Sequence, residues 1–156
     1  MAIKIVPFQK KYAQAFYELN IEWLETFFYV EEFDKEVLSK PEKYIISSGG
    51  HIFFAIENDT VLGTVALMKD SAKRFELTKM AVLPKQRGKK IGQQLMQYCI
   101  DFAKENNFDQ LFLYSNTKLE NAIYIYRKYG FVEIPVEKDS PYKRGNIKMV
   151  LDFKKG

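Results

Sequence analysis

Apolar residues recur along this chain with two periods, and the switch between them separates strands from helices. From Phe8 to about Phe28, Tyr12, Phe16, Leu19, Trp23 and Phe27 return every three or four residues, which predicts a helix with one apolar face. Ile91, Leu95, Met96, Cys99, Phe102 and Ala103 form a second such stripe, on a helix expected from about Gly88 to Asn106. The start, Met1 to Phe8, reads as a strand whose body is Ile3 to Val6, ended by Pro7. His51 to Glu57 and Val61 to Met68 are strands joined by a tight hairpin across Asn58-Asp59-Thr60. Asp70 to Arg74 turns the chain into a third strand, Phe75 to Leu83, giving a three-stranded antiparallel meander. Pro84 has no N–H for a ladder and closes it.

Elsewhere the pattern is interrupted by turn and cap residues. Glu31, Glu32 and Asp34 read as an acidic break before a short helix from Lys35 to Ser39, and Pro41 either stops that helix or opens another turn. Gly49-Gly50 is loop. Gln110 to Tyr114 follows a helix, so it is expected parallel to the Phe75 strand across a right-handed crossover. Thr117-x-x-Glu120 has the form of a capping box opening a helix that carries Ala122, Ile123, Tyr126 and Tyr129 and closes at Gly130. Phe131 to Ile134 and Ile147 to Phe153 are the last strands, separated by a polar loop with Pro141, Tyr142, Arg144 and Gly145. With no repeat or linker, residues 1–156 are expected to form one α/β domain on a mixed sheet.

Composition narrows the function. A hydrophobic content of 47% argues for a packed core, and no apolar run nears the roughly 18 residues of a membrane helix. The N-terminus lacks the apolar core and small-residue site of a signal peptide. One cysteine rules out an intrachain disulfide and fits a reducing, cytoplasmic setting. The net charge of +4 is spread among interleaved acids with no helix-turn-helix spacing, which disfavours nucleic acid as the main partner and leaves the excess for a polyanionic cofactor. One histidine and one cysteine leave little room for a His-centred triad or a zinc site, and no metal is expected. His51, opening a hairpin strand, reads as a structural or surface residue, and Cys99, on an apolar stripe, as a core residue.

The chemistry concentrates where the Phe75 strand ends. Lys85, Arg87, Lys89 and Lys90 surround a turn with Gly88 and Gly92 at the start of a helix, where free N–H groups and the positive dipole end favour an anion. Phosphate or pyrophosphate is the natural guest. Neither a Gly-Lys-Ser/Thr P-loop nor a dinucleotide fingerprint is present. Further on stands Asn121-Ala122-x-x-x-Tyr126-x-Lys128-x-Gly130-Phe131.

With the Met80-Ala81-Val82 strand end, Arg87-Gly88-Lys89-Lys90-Ile91-Gly92 and Ala122 to Phe131 in this order and spacing, the chain resembles the GNAT superfamily of acetyl-CoA-dependent N-acetyltransferases. It departs in having Lys90 where the family usually has Gly or Ala. It also has Leu119 in place of a frequent Asn, so that Asn116 or Asn121 is left to supply the amide.

The resemblance implies a mixed, mostly antiparallel central sheet flanked by helices, with a splayed parallel strand pair. It implies transfer of an acetyl group directly from acetyl-CoA to a primary amine of a small molecule, amino acid or peptide. A non-catalytic acyl-CoA-binding or regulatory module on the same fold is the alternative. Pantetheine is expected on the main chain of Met80, Ala81 and Val82, and pyrophosphate on the N–H groups of Arg87, Gly88, Lys89, Lys90, Ile91 and Gly92. Asn121 and Lys128 complete the expected cofactor contacts.

Tyr126 is the expected acid for the departing thiolate, since a phenol stays protonated at neutral pH; its plain reading is an aromatic on a packed helix face. Glu76 is the expected base, with an ordered-water relay as the alternative and a solvated strand glutamate as the plain reading. In this fold the acceptor lies across the sheet, between Trp23, Phe27, Tyr29, Glu31 and Glu32 on one side and Tyr142, Arg144 and Asn146 on the other. Arg144 suits a carboxylate-bearing acceptor and the acids at 31 and 32 a cationic amine; both clusters read equally as loop surface. The aromatic C-terminal strands offer an edge for a homodimer.

Overall fold

A computed structural model describes residues 2–140 and 142–153. Met1 of the expected first strand, Pro141 of the expected polar loop and residues 154–156 lie outside the described residues. The strands are β1 (Lys4–Pro7), β2 (His51–Glu57), β3 (Thr60–Ser71), β4 (Arg74–Val82), β5 (Gln110–Ser115), β6 (Val132–Ile134) and β7 (Ile147–Asp152). They form one sheet in the order β1-β2-β3-β4-β5-β7-β6, antiparallel throughout except for β4 against β5. The helices are α1 (Ala13–Phe27), α2 (Glu32–Ser39), α3 (Ile91–Glu105) and α4 (Glu120–Lys128). The fold is the mixed, mostly antiparallel sheet with one parallel pair and flanking helices that the resemblance implied.

Both faces of the sheet are covered, which is why its central strands read as nearly continuous apolar runs. Successive β2 residues divide between the two cores, as strand alternation requires. Phe53 and Ala55 pack with Leu95, Met96 and Cys99 of α3, while Ile52 and Phe54 pack with Phe16 and Leu24 of α1 and Leu38 of α2. His51 and Cys99 have the structural roles their positions suggested. The His51 ring lies 4.7 Å from that of Phe102, and the Cys99 thiol is buried, which pushes its pKa up.

Several element ends differ from expectation, each for a local reason. The first long helix is preceded by a separate 3-10 turn at Lys10–Tyr12, whose Tyr12 hydroxyl reaches Asp59 at 3.2 Å. The acidic break is instead the first turn of α2, where the Glu31 N–H donates to Asp34 Oδ2 at 2.9 Å. Acids there satisfy free donors and oppose the positive helix end, so they start the helix and do not interrupt it. After Pro41 the chain makes a π-helical turn, Glu42–Ile46. The second long helix begins at Ile91, three residues later than expected.

The Thr117 capping box does not form. The Thr117 N–H donates to Asn146 Oδ1 at 2.9 Å, Asn146 Nδ2 donates back to Thr117 Oγ1 at 3.1 Å, and α4 starts without a side-chain cap at Leu119. A tertiary partner has replaced the local one. The other end of α4 closes as Gly130 predicted. Its φ is +102°, the Gly130 N–H donates to the Arg127 carbonyl and the Phe131 N–H to that of Tyr126, both at 3.0 Å.

One ion cluster ties α2 to the loop before β7. Arg144 holds Asp34 with both ends of its fork, at 2.9 and 3.0 Å, and reaches Glu31 at 2.8 Å. The Asp34 side chain is 3% exposed. Removing one partner of a buried pair strands the other's charge. Asp34→Ala is therefore expected to lower stability by about 3 kcal/mol, seen in urea denaturation as a lower midpoint with an unchanged slope.

Candidate active site

β4 and β5 pair over only three positions, Arg74 with Gln110, Phe75 with Leu111 and Glu76 with Phe112. Beyond Glu76 the strands separate, yet each remains laddered to its outer neighbour, β4 to β3 and β5 to β7. The separation coincides with a bulge. Thr78 opposes Ala66 and Ala81 opposes Thr64, so Lys79 and Met80 together face the single residue Val65, with Lys79 at φ +55°. The wedge so opened is a cleft of about 310 Å³ walled by Leu77–Val82 of β4, Tyr114 and Ser115 of β5, Trp23 and Phe27 of α1, and Ala122 and Tyr126 of α4.

The basic turn lies past the end of β4. A 3-10 turn over Pro84–Gln86 leads through Gly88, at φ +85°, to Lys90 in the left-handed conformation at φ +65°. A side chain at Gly88 would meet nothing within 4 Å, so its glycine serves the backbone angle. Ile91, Gly92 and Gln93 open α3, have no intrahelical acceptor and receive no side-chain cap. The N–H groups of Arg87 and Lys89 already donate, to the carbonyls of Pro84 and Gln86. Donors for an anion are thus concentrated from Lys90 to Gln93. Lys89 and Lys90 are exposed around them.

The expected site residues separate into those at the cleft and those away from it. Trp23, Phe27, Met80, Ala81, Val82, Tyr126 and Tyr142 line it. Arg87 also lines it, but its guanidinium is ion-paired to Glu22 and lies 5.2 Å from the centre of the Phe27 ring. Arg144 does hold a carboxylate bidentately, and that carboxylate is Asp34 of the chain itself. Glu31 is spent on the same guanidinium, whereas Tyr29 is 52% exposed and outside the lining. Asn121 and Lys128 are exposed on α4 away from the cleft. Of the two candidate amides, Asn116 is at the cleft, donating to the Arg144 carbonyl at 2.7 Å and accepting from the Lys118 N–H at 2.9 Å.

Glu76 stands behind the cleft wall. Its carboxylate accepts hydrogen bonds from Tyr142 and Thr78, whose side chains do face the cavity. Burial raises the Glu76 carboxyl above the usual carboxylate range, with the nearby Lys79 ammonium pulling the other way. Burial also raises Tyr142 and Tyr126, keeping both phenols protonated. The Tyr126 hydroxyl makes no hydrogen bond to another described residue. Sequence reasoning missed Lys79, which donates to the Tyr142 hydroxyl at 3.3 Å, and Thr78, 3.4 Å from the same oxygen. Strand parity puts Lys79 opposite Glu76, and only the bulge brings it round. No group of three or more His, Cys, Asp or Glu residues among the described residues is arranged to hold a metal.

The sequence model of the family described as acetyltransferase (GNAT) matches residues 11–131. The chain belongs to the GNAT family. It is similar to a GNAT-family acetyltransferase from Staphylococcus aureus Mu50, 27% identical, with a TM-score of 0.86 over 98% of this chain and 100% of that one. A probable N-acetyltransferase, san, of Drosophila melanogaster is 32% identical over 104 residues, covering 64% of this chain and 56% of that protein. The fold of the PaiA N-acetyltransferase from Thermoplasma acidophilum, solved with coenzyme A, superposes with a TM-score of 0.76 at 20% identity, over 98% and 100% of the two chains. This GNAT chain is accordingly an acyltransferase.

Lys90 stands at φ +65° immediately before α3. A non-glycine residue in the left-handed region costs about 1–2 kcal/mol. Lys90→Gly is therefore expected to raise the ligand-free melting temperature by about 2–4 °C, read by thermal denaturation.

Proposed function

We infer that the protein transfers an acetyl group directly from acetyl-CoA to a primary amine of a small molecule, amino acid or peptide. The observation that carries this reading is the continuity between the open edge of β4 and the uncapped start of α3. One run of chain offers strand-like pairing to an extended pantetheine and then N–H donors to a pyrophosphate. The residues present fit the cofactor by the chemistry of that donor set, and the coenzyme A complex of the similarly folded PaiA supports it. Bound acetyl-CoA supplies the acetyl group as an activated thioester. A cytoplasmic location agrees with the single, buried cysteine. Among the described residues no helix is long and apolar enough to cross a membrane.

The chain's own groups then divide the work. Main-chain N–H groups of Met80 to Val82 that no longer pair with β5 would hold the thioester arm and stabilise charge on its carbonyl oxygen. Lys90, Ile91 and Gly92 would hold the diphosphate, with Lys89 as added positive charge. Glu76 accepts the amine's proton through the Tyr142 hydroxyl that already donates to it. Tyr126, from α4 on the other side, donates a proton to the leaving sulfur.

A thiol-release assay over a panel of primary amines tests the reading directly. Tyr126→Phe is expected to lower kcat about 100-fold, with the acetyl-CoA dissociation constant, from calorimetry, unchanged. Equal loss of both would make Tyr126 a packing residue.

Glu76 gives a pH signature. As a base it acts in the ionised form, and burial raises its carboxyl, so kcat is expected to climb with pH along an acid limb above the ordinary carboxylate value of about 4.3. Glu76→Gln is expected to abolish that limb, read from the kcat–pH profile at saturating substrates.

A further inference from the structure

Among the described residues lining the cleft, every cation but Lys79 has a close carboxylate. Arg144 is held by Asp34 and Glu31, Arg87 by Glu22, and Lys148 by Glu137 at 2.7 Å. Lys118 reaches the Phe27 carbonyl at 2.7 Å, closing the end of α1. Lys79 has only the Tyr142 phenol, its oxygen at 3.3 Å and its ring centre at 4.9 Å. Among the described residues no carboxylate lies within 4 Å of its ammonium. Burial lowers its pKa, with Glu76 and Asp34 opposing from further away.

This arrangement depends on an unfavourable backbone. A regular β4 would point Lys79 to the face opposite Glu76, whereas the left-handed bulge places it in the cleft lining. Strain of this kind, about 1 kcal/mol or more, persists where surrounding structure enforces it and gathers at ligand sites. The Tyr142 hydroxyl joins Lys79 on one side to Glu76 on the other. A group held by Lys79 is therefore next to the path by which the amine loses its proton. Across the cleft stand Trp23, Phe27 and Phe28, the first ring 5.3 and 5.6 Å from the other two.

We propose that the acceptor carries a carboxylate beside its amine, as a free α-amino acid with an apolar or aromatic side chain, and that Lys79 holds that carboxylate. This rests on the acetyl-transfer reading of the same cleft and names its substrate class. The carboxylate meets Lys79, the amine faces the Tyr142–Glu76 pair, and the side chain lies on the aromatic wall. Arg144, which suits a carboxylate-bearing acceptor in the sequence, already has its charge matched by Asp34 and Glu31, with both hydrogens of one terminal nitrogen donated to them.

The test compares phenylalanine, phenylalaninamide and phenethylamine on the full chain, by thiol release with acetyl-CoA and by calorimetry on CoA-saturated protein. Phenylalanine is expected to exceed the other two in kcat/KM by at least about tenfold, since a hydrogen bond to a charged group is worth about 1.5–3 kcal/mol. Lys79→Met is expected to bring the phenylalanine-to-phenethylamine ratio close to one, and Lys79→Arg to retain part of the preference. Equal use of the three amines, or a ratio unmoved by Lys79→Met, overturns the proposal and leaves acetyl transfer standing. Phenylalanine heat that Lys79→Met abolishes, with no amine acetylated, supports the carboxylate site and overturns the catalytic reading. Neither heat nor turnover with phenylalanine overturns the proposal, whatever other amines do.

Discussion

A parallel pair of strands that stops after three residues leaves a row of backbone N–H and C=O groups facing each other across a gap too wide to bridge. Such groups are strong donors and acceptors that need partners, whether water or ligand. In this protein the gap is fixed because each strand stays laddered on its far side, β4 to β3 on either side of the bulge and β5 to β7 throughout. Helices on both faces then prevent the sheet from folding closed over the opening. The bulge at Lys79 and Met80 adds local twist where pairing ends, turning the rest of β4 toward the start of α3. The open ladder and the uncapped helix thus form one continuous polar track, and every part of the functional reading depends on it.

The charges around this track are balanced mostly within the chain. Asp34 and Glu31 neutralise Arg144, and Glu22 neutralises Arg87, so two arginines that look free in sequence help to position α1 and α2 against the cleft. This explains why a chain with net charge +4 has a largely apolar cleft. The exposed lysines at 89 and 90 lie at the outer end, where a diphosphate belongs. Inside, among the described residues lining the cleft, the cation without a close carboxylate is Lys79, which is where the proposed acceptor carboxylate would be held.

The two periods of the hydrophobic pattern were enough to reveal the sheet, its one crossover and the helix stripes, because both cores impose those periods directly. The basic turn was also legible, since Gly88 and Gly92 flank it and Pro84 ends the preceding strand. Other features depend on contacts far apart in sequence. Thr117 forgoes its local cap for Asn146, and Asp34 helps start a helix while binding Arg144, 110 residues away. The resemblance groups Asn121 and Lys128 with Tyr126, but of the three only Tyr126 lines the cleft, and helical spacing alone does not say which side of α4 faces it. The bulge carries no glycine or other signature, so nothing in the sequence singles out Lys79 as a cleft residue.

By bringing Lys79 to Tyr142, the bulge also bears on how the two phenols would divide acid and base work. Burial keeps both Tyr126 and Tyr142 protonated, so pKa alone cannot distinguish their roles. Their surroundings can. Tyr142 receives a hydrogen bond from Lys79 and gives one to Glu76, a directional chain able to pass a proton from the cleft to a carboxylate. Tyr126 makes no such bond, and its proton is free to move toward charge arising in the cleft. On the proposed mechanism, a proton lost by an amine near β4 would leave through the Tyr142 side, and one needed by a departing thiolate would come from α4. The wedge between β4 and β5 would then keep the two proposed paths apart, so that the base does not simply neutralise the acid.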